Sequence, residues 1–379
     1  MIPVPRRTRR AIVVLGLLLV SATAVGCDGS PSPLDPRTAA TARIAELGWV
    51  MISLAAAVCV TVFAALAAAL GVGRGRAPVD PHAPPEPAGT IDDWSRLVIV
   101  AGMVLPASVI VITLGYTIYT LRETAGIGGP GGAGVFGPHA QHAQGAQDGS
   151  PSAPGGQGAA GLVSREAPLA VHITGHQWWW HVRYPDEQVI TANEVHLPAG
   201  VPVRLAVTSE DVIHSFWMPQ IAGKVDVIPG KTNSITILAE QPGVYRGMCA
   251  EFCGAPHARM HFLVVVEPPA DFARWLDGQR RVPPPPTDSL VQRGQQVFFR
   301  ATCAECHAVR GTAAGTRGPD LTHVASRRTL GAGTQPNTRA NLAGWTVDAQ
   351  AMKPGNKMPS IPLAGDDLQA LLAYLESLE

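Results

Sequence analysis

GMCAEFCGAPHARMHF, residues 247–262, gathers Cys249, Cys253, His257 and Met260 into one short loop. Thiolate, imidazole and thioether together favour copper over hard cations, and a single cysteine with one histidine and one methionine suggests a mononuclear centre. The second cysteine changes that reading. Two thiolates four residues apart can bridge two copper ions, each keeping one terminal imidazole, so a second histidine must come from elsewhere; His214, in DVIHSFWMP, is the candidate. A disulfide between Cys249 and Cys253 is the alternative that spacing alone leaves open in an oxidising compartment.

Outward from the loop, from Leu169 on, the segments LAVHITGHQWWWHVRY, VPVRLAVTS, SITILAE, GVYRGM and MHFLVVVE are β-rich and separated by PAG, PGK and QPG turns. Such spacing predicts a β-sandwich with the cysteine loop between its last two strands. Trp178, Trp179 and Trp180 cannot all face one side of a strand, so at least one belongs to the core, and Trp179 reads as a packing aromatic. The loop, His214 and GHQWWW together resemble the CuA domain of cytochrome c oxidase subunit II. That resemblance implies a cupredoxin-like all-β sandwich over residues 164–268 and a binuclear copper (CuA) centre. In it Cys249 and Cys253 bridge, His214 and His257 are terminal, and Met260 and the backbone carbonyl of Glu251 are weak ligands. It further implies Trp178 as the point where electrons enter, where an exposed indole would also suit a docking surface, and magnesium on the Glu251 carboxylate at the boundary with subunit I.

Equal numbers of acidic and basic residues give no reason to propose a nucleic-acid partner. The 40 glycines and 34 prolines are too many for one compact fold, so linkers are expected between ordered parts. Residues 1–26 have the charged, apolar and small-residue order of a signal peptide, and the AVGC ending resembles a lipoprotein signal in which Cys27 is lipidated. Residues 40–122 form the next unit, a transmembrane helical hairpin. Leu47 to Leu70 and Leu97 to Leu121 are each uncharged for long enough to cross a bilayer. The basic amino terminus and Arg74, Arg76 and Arg96 place residues 71–96 in the cytoplasm and all that follows Leu121 outside. Residues 123–163 are a Gly/Ala/Pro-rich linker, in which His139 and His142 read as solvated. The acidic residue that the resembled family often carries before the proline of the second span is missing near Ile99, which argues against a proton-uptake role for this chain.

Residues 269–288 read as a spacer ending in PPPP, and residues 289–379 as an all-α cytochrome c domain. CAECH, Cys303 to His307, is the covalent haem c motif, with thioethers to Cys303 and Cys306 and His307 as the proximal ligand. A sixth thioether ligand must come from Met352 or Met358, and Met358, in the irregular stretch KPGNKMP, is the choice. The order of helix, CxxCH, GPDL, loop methionine and final helix resembles a class I cytochrome c. This implies that the carbonyl of Pro319 orients His307 and that Arg327 and Arg328 meet the haem propionates. The whole chain resembles subunit II of a caa3-type cytochrome c oxidase in the bacterial cytoplasmic membrane, with both outer domains periplasmic. The resemblance implies subunit I, subunit III and an upstream donor such as a cytochrome c or bc1-type complex as partners. The other readings are a membrane-anchored CuA/haem c carrier outside an oxidase, a copper-delivery protein, and nitrous oxide reductase, whose large propeller domain this length does not accommodate.

Overall fold

The computed structural model describes residues 31–72, 93–126 and 168–379. The signal segment, Cys27, Arg74, Arg76 and residues 127–163 of the expected linker lie outside them. The two apolar runs form helices α1 (Ala39–Val72) and α2 (Asp93–Gly126), which contain stretches, Ala39–Ala67 and Val98–Arg122, long and apolar enough to cross a membrane. The start of α1 is tied to the domain that follows both helices. Thr38 Oγ1 donates to the Ile221 carbonyl at 2.9 Å, Thr41 Oγ1 to that of Gln220 at 3.0 Å, and the Arg37 N–H to the same Gln220 oxygen at 2.8 Å.

That domain is a sandwich of ten strands: β1 (Leu169–His176), β2 (Trp179–Tyr184), β3 (Val189–Ala192), β4 (Glu194–Pro198), β5 (Pro202–Ser209), β6 (His214–Met218), β7 (Ala222–Val227), β8 (Asn233–Leu238), β9 (Gly243–Cys249) and β10 (His261–Glu267). They form two sheets, in orders β3-β2-β1-β5-β8 and β4-β10-β9-β6-β7. Buried and half-buried residues alternate along β1, as a strand with one face on the core requires. LAVHITGHQWWWHVRY is not one strand: it folds back at Gln177 and Trp178, and β1 and β2 pair antiparallel with His176 opposite Trp179. The fold-back sends the three tryptophans to three places. Trp180 is fully buried against Phe216 and Phe262, Trp179 stacks on His176 with centroids 4.4 Å apart, and Trp178 is left at the turn. Burying such a ring stabilises by roughly 1.5–3 kcal/mol.

Of residues 269–288, read as a spacer, the first part is not free. Helix α3 (Pro269–Arg280) buries Phe272 and Leu276 in the sandwich core, and Trp275 stacks on His196 at 4.0 Å. The proline-rich stretch after it leads to the last domain, whose Arg310 also donates to the carbonyls of Gln279 and Arg280 at the end of α3 at 3.0 Å.

The last domain is helical around its own core. Asp288 caps α4 (Ser289–Arg300) by accepting the N–H groups of Leu290 and Val291 at 2.8 and 3.1 Å. α5 (Arg339–Val347) and α6 (Ala349–Met352) lead to α7 (Gly365–Glu376), which crosses α4 at Gly294. A Cβ at Gly294 would lie 2.0 Å from the carbonyl oxygen of Ala370, so the helices approach as closely as their backbones allow. Gly294→Ala is therefore expected to cost about 3 kcal/mol, the upper end of overpacking, and to lower the thermal midpoint of this domain by more than about 10 °C. Calorimetry reads this directly, with the sandwich transition as internal control. An unshifted midpoint would show that the crossing relaxes without cost.

Candidate metal and haem centres

β9 and β10 pair antiparallel with Met248 opposite His261, and so clamp both ends of the cysteine loop. Within it the Cys249 and Cys253 sulfurs stand 3.8 Å apart as free thiols, and His214 Nδ1 is 3.9 Å from Cys249 Sγ. On the other side, His257 Nδ1 and Met260 Sδ are 3.6 and 3.8 Å from Cys253 Sγ. The Glu251 carbonyl turns inward, 3.2 Å from Cys249 Sγ, while its side chain is exposed. Cys249, Cys253, His214 and Met260 are buried. The donor atoms of His214, Cys249 and Cys253 all lie within 4.8 Å of one another, and metal–thiolate bonds for a borderline ion run about 2.3 Å, so the sulfurs are close enough to share one. Soft donors converging in a dry pocket fit copper.

The two thiols share one hydrogen bond, and this couples their acidities. It lowers the pKa of Cys249, against burial and with help from His214, and raises that of Cys253, which burial raises further. The shared bond thus favours the charged form at Cys249, the form in which a cysteine binds a metal.

Asp211 was not singled out from the sequence, although it stands three residues before His214 in the stretch DVIH. Its Oδ1 lies 2.9 Å from His214 Nε2, leaving Nδ1 to face the sulfurs. Carboxylates of this kind fix the tautomer and ring orientation of a ligand histidine. Burial opposes the Asp211 charge, but hydrogen bonds from His214 and from the N–H groups of Gln177 and Val212 hold its pKa below the usual carboxylate value. Burial likewise lowers the His214 pKa, and bonds to Cys249 and Asp211 outweigh it, giving a net rise.

Trp178 is half-buried. Its indole N–H donates to the Cys253 carbonyl at 2.9 Å, and Gln177 Nε2 donates to the same oxygen at the same distance. Gly254, at φ +120°, is what lets the ring lie down: a Cβ there would be 2.8 Å from Trp178 Cζ2. The helical domain covers the turn, since Lys357 Nζ stands 6.0 Å from the ring centroid and Lys353 Nζ donates to the Trp178 carbonyl at 2.7 Å.

In the helical domain His307 Nδ1 is 2.8 Å from the Pro319 carbonyl, which leaves Nε2 for an iron. Cys303 and Cys306 are half-buried free thiols. The Met358 backbone is pinned by Asn356 Oδ1 and Gln350 Nε2 at 2.7 and 2.8 Å. Met352 is spoken for elsewhere, its methyl filling the gap at Gly344 in α5. Arg327 gives one donor to the Asp320 carbonyl and keeps a buried Nε with no partner among the described residues, a donor that suits a propionate. Arg328 makes a different contact: its backbone N–H donates to Glu194 Oε1 of β4 at 2.7 Å. These residues fit a covalently attached haem.

Fold and donor sets define a membrane-anchored protein in which a cupredoxin-like sandwich precedes a c-type cytochrome domain. Residues 187–267 match the family model of the periplasmic domain of cytochrome c oxidase subunit II, and residues 291–379 match that of cytochrome c. The chain thus carries the subunit II periplasmic domain with a cytochrome c domain fused behind it, and these domains imply copper and haem. It is 39% identical over 210 residues to cytochrome c oxidase subunit 2 of Alkalihalophilus pseudofirmus, covering 55% of this chain and 61% of that one. It is 31% identical over 227 residues to the Bacillus subtilis protein of the same name, covering 56% and 63%. The chain thus spans about three fifths of the length of these curated relatives. Among solved structures, the periplasmic domain of cytochrome oxidase subunit II of Bradyrhizobium japonicum is 32% identical over 31% of this chain and 96% of that one, with a TM-score of 0.30.

Proposed function

We propose that this chain is subunit II of a caa3-type cytochrome c oxidase, receiving electrons at its own cytochrome c domain and delivering them through a binuclear CuA centre to a haem-copper subunit I. The observation that carries this reading is that the two candidate cofactor loops of one chain meet at Trp178. The indole N–H of that residue bonds the carbonyl of Cys253, and its own carbonyl takes the amine of Lys353, five residues before Met358.

Cys249 and Cys253 would bridge the copper pair, with His214 and His257 terminal and Met260 and the Glu251 carbonyl as weak ligands. His307 and Met358 would be the axial haem ligands, with Cys303 and Cys306 as its covalent attachments. Bound there, the two groups supply one-electron transfer. The protein holds their surroundings still and dry: Asp211 orients His214, Pro319 orients His307, and the clamped strands keep both thiols buried. Trp178 is the residue that links the two sites.

The start of α1 is bonded to the sandwich at Gln220 and Ile221, so both lie on one side of the membrane, and Arg74, Arg76 and Arg96 between the spans support the periplasmic side for both outer domains. Phe252, 76% exposed beside the copper loop, is an apolar side chain suited to cover by subunit I. The Glu251 carboxylate is free to hold magnesium at that boundary. Subunit III and an upstream donor, a cytochrome c or bc1-type complex, complete the proposed assembly. The units are a signal at 1–26, a membrane hairpin at 40–122, a linker at 123–163, the CuA domain at 164–268, a spacer at 269–288 and the cytochrome domain at 289–379.

Metal and haem analysis with electron paramagnetic resonance tests this reading. Two coppers per haem, sharing one unpaired electron with hyperfine splitting from both nuclei, are expected because two thiolate bridges couple the metals. One copper per chain with a mononuclear spectrum would end it.

A further inference from the structure

Lys353 is 2% exposed, lies where the two outer domains meet, and has no carboxylate partner among the described residues. A lysine buried without a counter-ion is costly, so its hydrogen bonds decide what it does. Its Nζ donates to the Trp178 carbonyl at 2.7 Å and to the Gly331 carbonyl at 2.9 Å. The first belongs to the turn on the copper loop, the second to the cytochrome domain. Burial lowers its pKa to about 7, and ammonium and neutral amine alike carry the two N–H bonds these carbonyls take.

We propose that Lys353 is a positioning residue that fixes the cytochrome domain on the Trp178 face in a single register. This inference rests on the function proposed above. The neighbouring contacts share that register. A Cβ at Gly355 would lie 3.3 Å from that of Ala255 in the copper loop, the His261 N–H donates to the Ala332 carbonyl at 2.9 Å, and Arg259 donates to the Met352 carbonyl. Lys357 differs in kind: it is largely exposed, and its ion pair with Asp211, 3.5 Å long, is the sort that salt screens. Lys357 steers, whereas Lys353 locks, because removing its amine leaves the part-buried Trp178 carbonyl with no donor among the described residues and the Gly331 carbonyl with the Thr334 hydroxyl alone.

The test uses the intact complex, with Lys353→Met and Lys357→Met as variants, and measures the distance distribution between low-spin ferric haem c and the copper signal by pulsed paramagnetic resonance. One narrow distribution is expected for the parent and for Lys357→Met. Lys353→Met should broaden it and slow haem-to-copper transfer by about tenfold or more, while the methionine–iron band and the copper spectrum stay unchanged. A broad distribution in the parent overturns the proposal whether or not the variant folds. So does an unchanged narrow one in Lys353→Met. Absence of either paramagnetic signal would instead refute the copper and haem reading on which the proposal stands.

Discussion

Cys249→Ser is expected to abolish the paired-copper absorption and resonance signal and to bring oxygen consumption to background, while the haem c spectrum is unaltered. The size of the effect follows from where the thiol sits. Its sulfur is within 4 Å of the Cys253 sulfur, of His214 Nδ1 and of the Glu251 carbonyl, so it is the atom that both halves of the site share. It is also the thiol whose pKa the site lowers, chiefly through its bond with Cys253. Serine is nearly isosteric but offers a hard oxygen that stays protonated at neutral pH, so the site loses a soft bridging ligand. The cytochrome domain has its own core and should fold and take up haem as before. Copper assays with visible and resonance spectra on the purified variant check this. A variant that keeps two coppers with shared hyperfine splitting would show that Cys249 is no bridge.

Much of this was legible in the chain because the decisive motifs are local. The cysteine loop needs a short span and two strands, and CAECH needs five residues, so neither depends on a distant part of the fold. What sequence did not show depends on long-range approach. The hairpin inside LAVHITGHQWWWHVRY was hidden because its turn, Gln177 and Trp178, carries none of the usual glycine, proline or asparagine. β6 was missed because HSFWM shows no alternation, being buried almost throughout with Phe216 against Trp180 and Phe262. Residues 269–288 read as a spacer, but Phe272 and Leu276 within them close one side of the sandwich core. Asp211 could have been found, since a carboxylate three residues from a ligand histidine is a recognisable arrangement. Lys353 could not, because a lysine before Pro-Gly is ordinarily solvated and only the meeting of two domains buries it.

Ending the chain within Pro283 to Pro286, which removes residues 287–379, is expected to leave the copper domain folded and to cut turnover sharply unless a soluble cytochrome is added. α3 and its buried Phe272 and Leu276 precede the cut, so the sandwich core is complete without the last domain. In the intact chain the attached cytochrome is a permanently local donor, at an effective concentration that for short tethers is on the order of millimolar, and transfer to copper should not vary with protein concentration. Truncation replaces that with diffusional encounter. It also changes the surface the donor meets: Asp211 loses Lys357, Glu194 loses the N–H groups of Arg328 and Thr329, and Trp178 loses its cover. A newly bared carboxylate beside an aromatic ring attracts a donor carrying lysines around its haem edge, and such steering is screened over about 10 Å at 0.1 M salt. Turnover of the truncated complex should therefore rise with added cytochrome and fall with ionic strength, whereas the intact complex, assayed for internal haem-to-copper transfer, should respond weakly to both. Oxygen consumption measured across donor and salt concentrations separates the two. Full activity of the truncated complex with the original donor, at unchanged salt dependence, would place the haem domain off the main electron path.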